Sequence, residues 1–254
     1  MTARRWLHPW HAEPDAHPVL LCIPPAGSGC GQYAGWQSLL GPSISTIGVQ
    51  LPGREDRWTE PMPSTIGDAV DAVESELTRL LPPHWPALLY GHSFGGLLAY
   101  ELCRRLDSVG RRPVALVVAS CRPPHAWVGA GRGLVDNESE LGRLLDLRGL
   151  SEDDIDEDSR ELMLHVLRQD AQLSLTYVDP HGERVGCPIH AWGGSGDEIV
   201  SSADLDGWAG YTGSGFFRRQ FPGGHHLSAG TGLLDELRGL LVPHFDPGAM
   251  IDAN

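Results

Sequence analysis

Ala87-Leu-Leu-Tyr-Gly-His-Ser-Phe-Gly-Gly-Leu-Leu98 is a short apolar run that ends in a glycine-framed serine and continues into residues of helical composition. A run of this kind reads as a buried strand that turns sharply into a helix. The turn dictates its residues: small residues at Gly91 and Gly95 let the two backbones approach, and the Ser93 hydroxyl stands exposed above the sheet. A Gly-x-Ser-x-Gly pattern also arises by chance, so the flanking chain decides what it means.

On both sides, apolar runs alternate with helical patterns. Val19–Ile23 is stopped by Pro24-Pro25, and Ser45–Gln50 is stopped at Pro52-Gly53. Val114–Ala119, Cys187–Trp192 and Phe216–Phe221 are further strand-like runs. Between Ile66 and Leu81, apolar residues at 66, 70, 73, 77 and 80 follow the spacing of one helix face. Helical composition returns over Leu97–Leu106, near Ala203–Tyr211 and over Gly232–Leu241. The alternation predicts an α/β fold, a mostly parallel sheet flanked by helices. From about 122 to 179 no strand-like run occurs, while Glu138–Leu147 and Ser159–Leu175 read as helices. A single domain over 1–254 with a helical insertion at 122–179 is expected, and the tail from Asp246 to Asn254 is expected to fray.

Composition narrows the function classes. The chain has 254 residues, enough to bury a sizeable core, and its 32 Gly and 20 Pro stay below the level of low-complexity chains. A net charge of −14, with every basic residue an arginine, would be repelled by a phosphate backbone, so nucleic-acid binding is not expected. The N-terminal residues lack the apolar centre of a signal peptide, and no stretch is long and apolar enough to span a membrane, so a soluble cytoplasmic protein is expected. Five sparse cysteines without Cys-x-x-Cys spacing read as buried, reduced thiols.

A strand-to-helix serine requires an acid and then a histidine further along the chain. Gly193-Gly-Ser-Gly-Asp197 follows the run ending at Trp192, and Pro222-Gly-Gly-His225 follows the run ending at Phe221. Both place their polar residue at the carboxyl end of a strand, where α/β sites form. The expected catalytic set is Ser93 as nucleophile, His225 as base and Asp197 as the group that orients it, with Glu198 and His226 as rivals to the last two. The oxyanion needs two backbone N–H donors. Phe94 follows the nucleophile, and Ala26 is the first residue after Pro24-Pro25 that has an N–H to give.

Other patterns fail on inspection. Gly27-Ser-Gly-Cys-Gly-Gln32 lacks the third glycine of a dinucleotide loop. Asp154-Ile-Asp-Glu-Asp158 has Ser159 and His165 where a calcium loop needs Gly and Glu, so these acids read as solvent-facing residues before a helix. No His-Glu-x-x-His pairing occurs, and His84, His125, His165 and His190 read as structural or surface residues. Neither a metal nor a cofactor is expected.

Together these motifs resemble the type II thioesterases, discrete α/β-hydrolases that work beside polyketide synthases and nonribosomal peptide synthetases. The resemblance is carried by Leu21-Cys-Ile-Pro-Pro-Ala-Gly27, Val49-Gln-Leu-Pro-Gly-Arg-Glu-Asp-Arg57, Gly91-His-Ser-Phe-Gly-Gly96 with Ala99-Tyr-Glu-Leu102, Gly193–Asp197 and Phe221–His225. It implies an α/β-hydrolase fold, a helical lid formed by the insertion, and a substrate held on the phosphopantetheine arm of an acyl or peptidyl carrier protein. It carries the nucleophile onto Ser93, the acid onto Asp197, the base onto His225 and the oxyanion donors onto Ala26 and Phe94. The chain departs from the family at Pro25, where a histidine or aromatic is common, and at His226, where an aromatic is common. Arg54 and Arg57 are expected to brace their loop rather than to touch substrate.

The expected activity is therefore hydrolysis of acyl thioesters on carrier proteins, an editing reaction of antibiotic-type biosynthesis, carried out by a monomer. Arg104-Arg105 and Arg111-Arg112 are candidates for the surface on which an acidic carrier lands. The alternatives are a carboxylesterase or acyltransferase using the same serine and, from another class, a catalytically silent hydrolase-fold binding module.

Overall fold

The computed structural model describes residues 5–83, 85–146, 156–179, 182–227 and 229–244. His84, Leu147, Asp154 and the tail from 246 onward, all noted in the sequence, lie outside the described residues.

Seven strands form one sheet in the order β1-β3-β2-β4-β5-β6-β7. They are β1 (Leu7–Pro9), β2 (Val19–Ile23), β3 (Ser45–Val49), β4 (Ala87–His92), β5 (Ala115–Ala119), β6 (Ile189–Gly194) and β7 (Phe216–Phe221). Only β1 runs antiparallel, pairing Leu7 with Val49 at the edge. All other pairings are parallel. The helices are α1 (Trp36–Leu40), α2 (Ile66–Leu80), α3 (Phe94–Ser108), α4 (Glu138–Asp146), α5 (Glu157–Ser174), α6 (Ser202–Asp206) and α7 (Leu233–Leu241).

The centre of a parallel sheet is covered on both faces, which is why β2 and β5 read as unbroken apolar runs. Within β2 the side chains divide by parity. Val19, Leu21 and Ile23 join Leu89 and Val118 under α2 and α3. Leu20 and Cys22 join Leu88, Tyr90 and Trp192 under α1 and α7. Helix α2 shows how the local sequence sets an element. Thr65 Oγ1 accepts from the Asp68 amide, and Asp68 Oδ2 accepts from the Thr65 amide, each at 3.0 Å. This reciprocal cap is worth on the order of 1 kcal/mol, and the helix then buries Ile66, Ala69, Val70, Val73 and Leu77.

Three elements differ from the expectation. The edge strand β1 and the five-residue α1 carry too few periodic residues to announce themselves. The helix expected over 203–211 is α6 followed by a 3-10 turn from Gly207 to Tyr211. The stretch between β5 and β6 does lack a named strand among its described residues and holds α4 and α5, which pack through Leu141, Leu145, Leu164 and Leu167.

The order β3-β2-β4 marks the point where the chain reverses its winding direction, having stepped one way from β2 to β3 and then the other way to β4. A crevice opens there at the carboxyl ends of the strands. The turn after β2 and the turn after β4 are its two sides. They come very close: a Cβ added at Gly95 would lie 2.3 Å from the Ile23 carbonyl oxygen. Gly95→Ala is therefore expected to cost about 3 kcal/mol, because the obstruction is backbone and cannot rotate away. Urea unfolding of the variant against wild type measures it, and an unchanged midpoint would contradict this packing.

Candidate active site

Ser93 occupies the turn between β4 and α3 with φ 51° and ψ −119°, a conformation that non-glycine residues rarely adopt. Its geometry is over-determined by its neighbours. The Ser93 amide donates to the Ala119 carbonyl at 2.8 Å, and the Ser93 carbonyl accepts from the Gly96 amide at 2.8 Å. A Cβ at Gly91 would lie 2.2 Å from the Gly95 carbonyl oxygen, so strand and helix can meet at this angle only with glycine there. The strain is held by the surrounding sheet and is repaid in a hydroxyl that faces the crevice.

Asp197 lies beyond β6 and His225 beyond β7, and the structure brings them together. The His225 Nδ1 lies 3.0 Å from Asp197 Oδ2 and 3.1 Å from Oδ1. The Asp197 Oδ1 also accepts from the Ile199 and Val200 amides at 2.9 and 3.0 Å. Burial alone would raise this carboxyl, but the hydrogen bond and charge of the His225 imidazole, with the two amides, hold it at about 2. It is therefore a carboxylate at any working pH, and the imidazole nitrogen facing it is the protonated one. The other ring nitrogen is left for the crevice.

Of the two histidines that competed for this position, His225 pairs with the acid. His226 instead meets the rings of His92 and His225 edge-on, at 4.9 and 5.3 Å between centroids. The His92 ring nitrogen Nε2 is 2.9 Å from the His225 carbonyl oxygen, which ties the histidine loop back to the strand that carries Ser93. Glu198, the other rival, is exposed and lies at the rim of the cavity rather than on the imidazole.

Ser93, His225, Ala26 and Phe94 all face one cavity of about 450 Å³. Leu134, Leu141, Leu144 and Leu167 of the α4–α5 region give it apolar walls, joined by Trp127. Arg122, Glu140, Arg143 and Glu198 add charge. Phe94 begins α3, where the first N–H groups have no acceptor within the helix. Its ring packs toward Trp127 at 6.0 Å between centroids.

The turn carrying Ala26 is braced by the segment after β3. Arg54 donates to the Ser28 carbonyl at 3.2 Å and to Asp170 of α5. Glu55 accepts from the Gly31 amide, and Gln50 accepts from the Cys30 amide at 2.8 Å. Arg57 donates to the Gln50 carbonyl at 2.7 Å and to Glu60, with its guanidinium 4.4 Å over the Trp6 ring. The Pro-Gly-Arg-Glu-Asp-Arg sequence is thus a set of hydrogen bonds that hold neighbouring loops.

Two cavity residues escaped the sequence reading. Ser120 follows β5 with φ 44°, and its buried hydroxyl has no hydrogen-bond partner. Nothing in its local sequence marks it. Asp170 had a detectable signal, since it falls on the α5 stripe with Leu167, Ala171 and Ser174, where an apolar residue is expected.

Three further histidines have partners of their own. His125 stacks on Tyr211, His190 stacks on Phe217, and His165 bonds Gln169 beside Trp58. All five cysteines are buried and free. Burial pushes the Cys22 thiol well above its ordinary range and Cys30 up to about 12, far from nucleophilic thiolates. Among the described residues no cluster of three or more His, Cys, Asp or Glu is placed to hold a metal, and no helix is long and apolar enough to cross a membrane.

Comparison with known proteins gives one consistent answer. The thioesterase domain family model matches residues 18–238. A probable cadicidin biosynthesis thioesterase of Streptomyces griseus is 30% identical over 90% of this chain and 64% of its own length, so the chain spans just under two-thirds of that relative. The RedJ thioesterase from the prodiginine pathway of Streptomyces coelicolor superposes with a TM-score of 0.80 at 33% identity, over 90% of this chain and 87% of that one. The type II thioesterase BorB from the borrelidin biosynthetic cluster gives 0.79 at 29% identity, over 94% and 97%. The α/β-hydrolase fold expected from the sequence is the fold of these neighbours.

The depressed Asp197 carboxyl makes a prediction about stability. Its folded value, about 2, lies below an unfolded value of about 3.9, so its contribution is fully present above the unfolded value and is lost as pH falls through the folded one. That contribution is roughly 2 kcal/mol at neutral pH. Asp197→Asn should therefore be less stable than wild type in urea at pH 7 by about that amount, with the gap about halved at pH 3. A gap independent of pH would show that the carboxylate is not held as described.

Proposed function

The chain belongs to the thioesterase domain family, and on that footing we propose that it is a type II thioesterase that hydrolyses acyl thioesters carried on the phosphopantetheine arm of polyketide or peptide carrier proteins. The observation that carries this reading is the convergence of Ser93, the Asp197-held His225 and two N–H-bearing turns on one apolar-walled cavity. In this reading the Ser93 Oγ attacks the thioester carbonyl while His225 takes its proton. The Ala26 and Phe94 amides receive the oxyanion. His225 passes the proton to the departing thiol, and the acyl group remains on Ser93. A water molecule, deprotonated by the same imidazole, then releases the acid and restores the serine. The chain supplies every proton transfer from its own side chains, and no cofactor enters the scheme.

The helices between β5 and β6 act as the lid in this proposal, and their leucines receive the acyl chain. A cavity of about 450 Å³ lies within the usual span for small-molecule sites, roughly 300–1,000 Å³. A thiol leaves more readily than an alkoxide, so selectivity rests on what the walls admit. The carrier approaches from the side of the strand carboxyl ends. Arg111 and Arg112 precede β5 at the other end of the sheet, and α3 carries Arg104 and Arg105 away from Ser93 along its 15 residues, about 22 Å overall. All four are engaged within the chain: Arg104 by Glu101 and Glu183, Arg105 by Asp71, Arg111 by carbonyls at the end of α2, and Arg112 by Asp107. Arg122 and Arg143, which bond the Ile199 carbonyl and Glu140 but line the cavity itself, take their place by position as the cations a phosphopantetheine arm would meet.

The test is release of free carrier thiol from acetyl- and longer acyl-loaded carrier protein, followed by intact-protein mass. Wild type is expected to deacylate the carrier, and Ser93→Ala to be slower by about 10⁴-fold or more. A wild type that leaves every acyl carrier intact but cleaves simple oxygen esters would replace this reading with that of a carboxylesterase.

A further inference from the structure

Asp170 has no part in the proton transfers just described, yet its carboxylate is among the most heavily bonded groups in the protein. It is 1% exposed and lies on α5 between cavity-facing Leu167 and Ala171. Arg54 grips it as a fork, Nη1 to Oδ2 at 2.8 Å and Nη2 to Oδ1 at 2.6 Å. Such a pair satisfies both oxygens and both charges. A third donor nevertheless reaches it: the Gly27 amide, 2.6 Å from Oδ2.

Gly27 is the residue after the oxyanion candidate, and the local turn shows what this bond controls. The Ser28 amide donates to the Pro25 carbonyl at 3.2 Å, and Gly27 has φ 72°, so Pro25 to Ser28 form a turn of type II with Ala26 and Gly27 at its centre. Type I and type II turns differ by a half-rotation of their central peptide, here the one joining Ala26 to Gly27. Asp170 holds the N–H of that peptide, and the turn so fixed sets the Ser28 amide on the Pro25 carbonyl, which belongs to the same peptide unit as the Ala26 N–H. Through Arg54, which also donates to the Ser28 carbonyl at 3.2 Å, it holds the Ser28–Gly29 peptide too. On the other side of Ala26 the chain enters from β2, with Ile23 in register with Gly91. The Ala26 methyl packs against the α4–α5 cluster of Leu141, Leu145, Leu164 and Leu167. Ala26 is thus clamped from both directions, and one of the clamps belongs to the helix that covers the cavity.

We propose that Asp170 is a positioning residue for the reaction: it couples the seating of α5 to the orientation of the Ala26 N–H, so that the oxyanion site is complete only while α5 covers the cavity. The proposal rests on the reading of Ala26 as an oxyanion donor. An apolar side chain on this stripe would pack as well, and a buried ion pair gives little net stability over such packing. What the apolar residue would not supply is a partner for the Gly27 amide and a seat for Arg54. Oxyanion donors must be placed within about 0.5 Å to act, which is the tolerance a bonded turn meets and a free one does not.

The test compares two double variants, Arg54→Met/Asp170→Ala and Arg54→Met/Asp170→Asn. Both remove the cation that a single change would strand, and only the second keeps an acceptor for the Gly27 amide. The readouts are kcat and KM on the decanoyl thioester of N-acetylcysteamine, and the affinity of an n-alkylboronic acid, which adds to the serine as a tetrahedral anion and places an oxygen in the oxyanion site. The Ala pair should lose roughly tenfold or more in kcat and a similar factor in boronate affinity, with KM within about threefold of wild type. The Asn pair should regain most of both losses. Equal kcat and equal boronate affinity in the two variants, or a loss confined to KM, would overturn the proposal. Should neither variant fold, amide hydrogen exchange on the wild type decides: the Gly27 amide is expected to open together with α5, and free exchange at Gly27 while α5 stays protected would refute the coupling. A wild type inert on every thioester but tight for the boronate would count against the functional reading alone, since the boronate comparison still reports on Asp170.

Discussion

Three backbones meet at Ser93, and most of the molecule is arranged so that they can. The end of β2, the end of β4 and the start of α3 approach to distances at which no Cβ fits at Gly91 or Gly95. That contact holds a non-glycine residue at φ 51°, a conformation that costs of order 1–3 kcal/mol and persists only when its surroundings fix it. The surroundings are a central parallel strand paired on both sides, with β2 on one edge and β5 on the other. A serine turn of this kind on an edge strand would lack one of these two walls. Its place at the switch point of the sheet therefore follows from what the strained turn needs, as well as from the crevice it opens.

Asp197 and His225, the proposed acid and base, pose a different problem, because they follow strands two and three places away from β4 in the sheet. At about 4.8 Å per strand, the end of β7 lies roughly 14 Å from the end of β4. His225 has to be carried back across β6. The loop after β7 does this by lying on the loop after β6: the Ser195 amide donates to the Phe221 carbonyl and the Gly196 amide to the Gly223 carbonyl, each at 2.8 Å. A Cβ at Gly194 would sit 2.0 Å from the Gly224 carbonyl oxygen, and Gly223 takes a φ of 124°, so Gly194 and Gly223 both serve this crossing. The bond from His92 to the His225 carbonyl then closes the path on β4 itself. These glycines are part of how the imidazole arrives within reach of the crevice.

This explains what could be read from the sequence and what could not. Strands buried on both faces, β2, β4, β5 and β6, announce themselves as apolar runs, and the residues after them are short loops whose polar members can be named one by one. Ser93 and Asp197 stood out as candidates for that reason, while His225 follows β7, whose middle residues are exposed, and was named from the Pro222-Gly-Gly-His225 loop itself. The edge strand β1 has three residues, one of them proline, and is defined by pairing with β3 rather than by any pattern of its own. Helix α1 is likewise five residues long and depends on burying Trp36 and Leu40 against the sheet. Glu198 and His226 could be ranked below their neighbours but not dismissed, because a shift of one residue along a loop changes direction in space and leaves no trace in spacing. The arginines of α3 and of the following loop illustrate the reverse error. They look like a basic cluster near Ser93 in sequence, and in space they are paired and directed to the far end of the sheet.

Long-range side-chain bonds are the part of the site that sequence spacing reveals least. Arg54 and Asp170 are separated by 116 residues, and nothing in the spacing of either one names the other. Their meaning appears only when the helix phase of α5 is taken seriously, since a carboxylate on the apolar stripe demands a partner once the helix is buried. The partner cannot be a second residue of the same helix, whose neighbouring positions on that stripe are Leu167, Ala171 and Ser174. It has to come from a loop under the helix, and the loop must bring a cation. The Pro52-Gly53 turn does so, with Gly53 at φ 75° directing Arg54 inward. The loop after the third strand and an out-of-phase acid in a helix more than a hundred residues later are thus two halves of one interaction, and the turn that bears Ala26 lies between them.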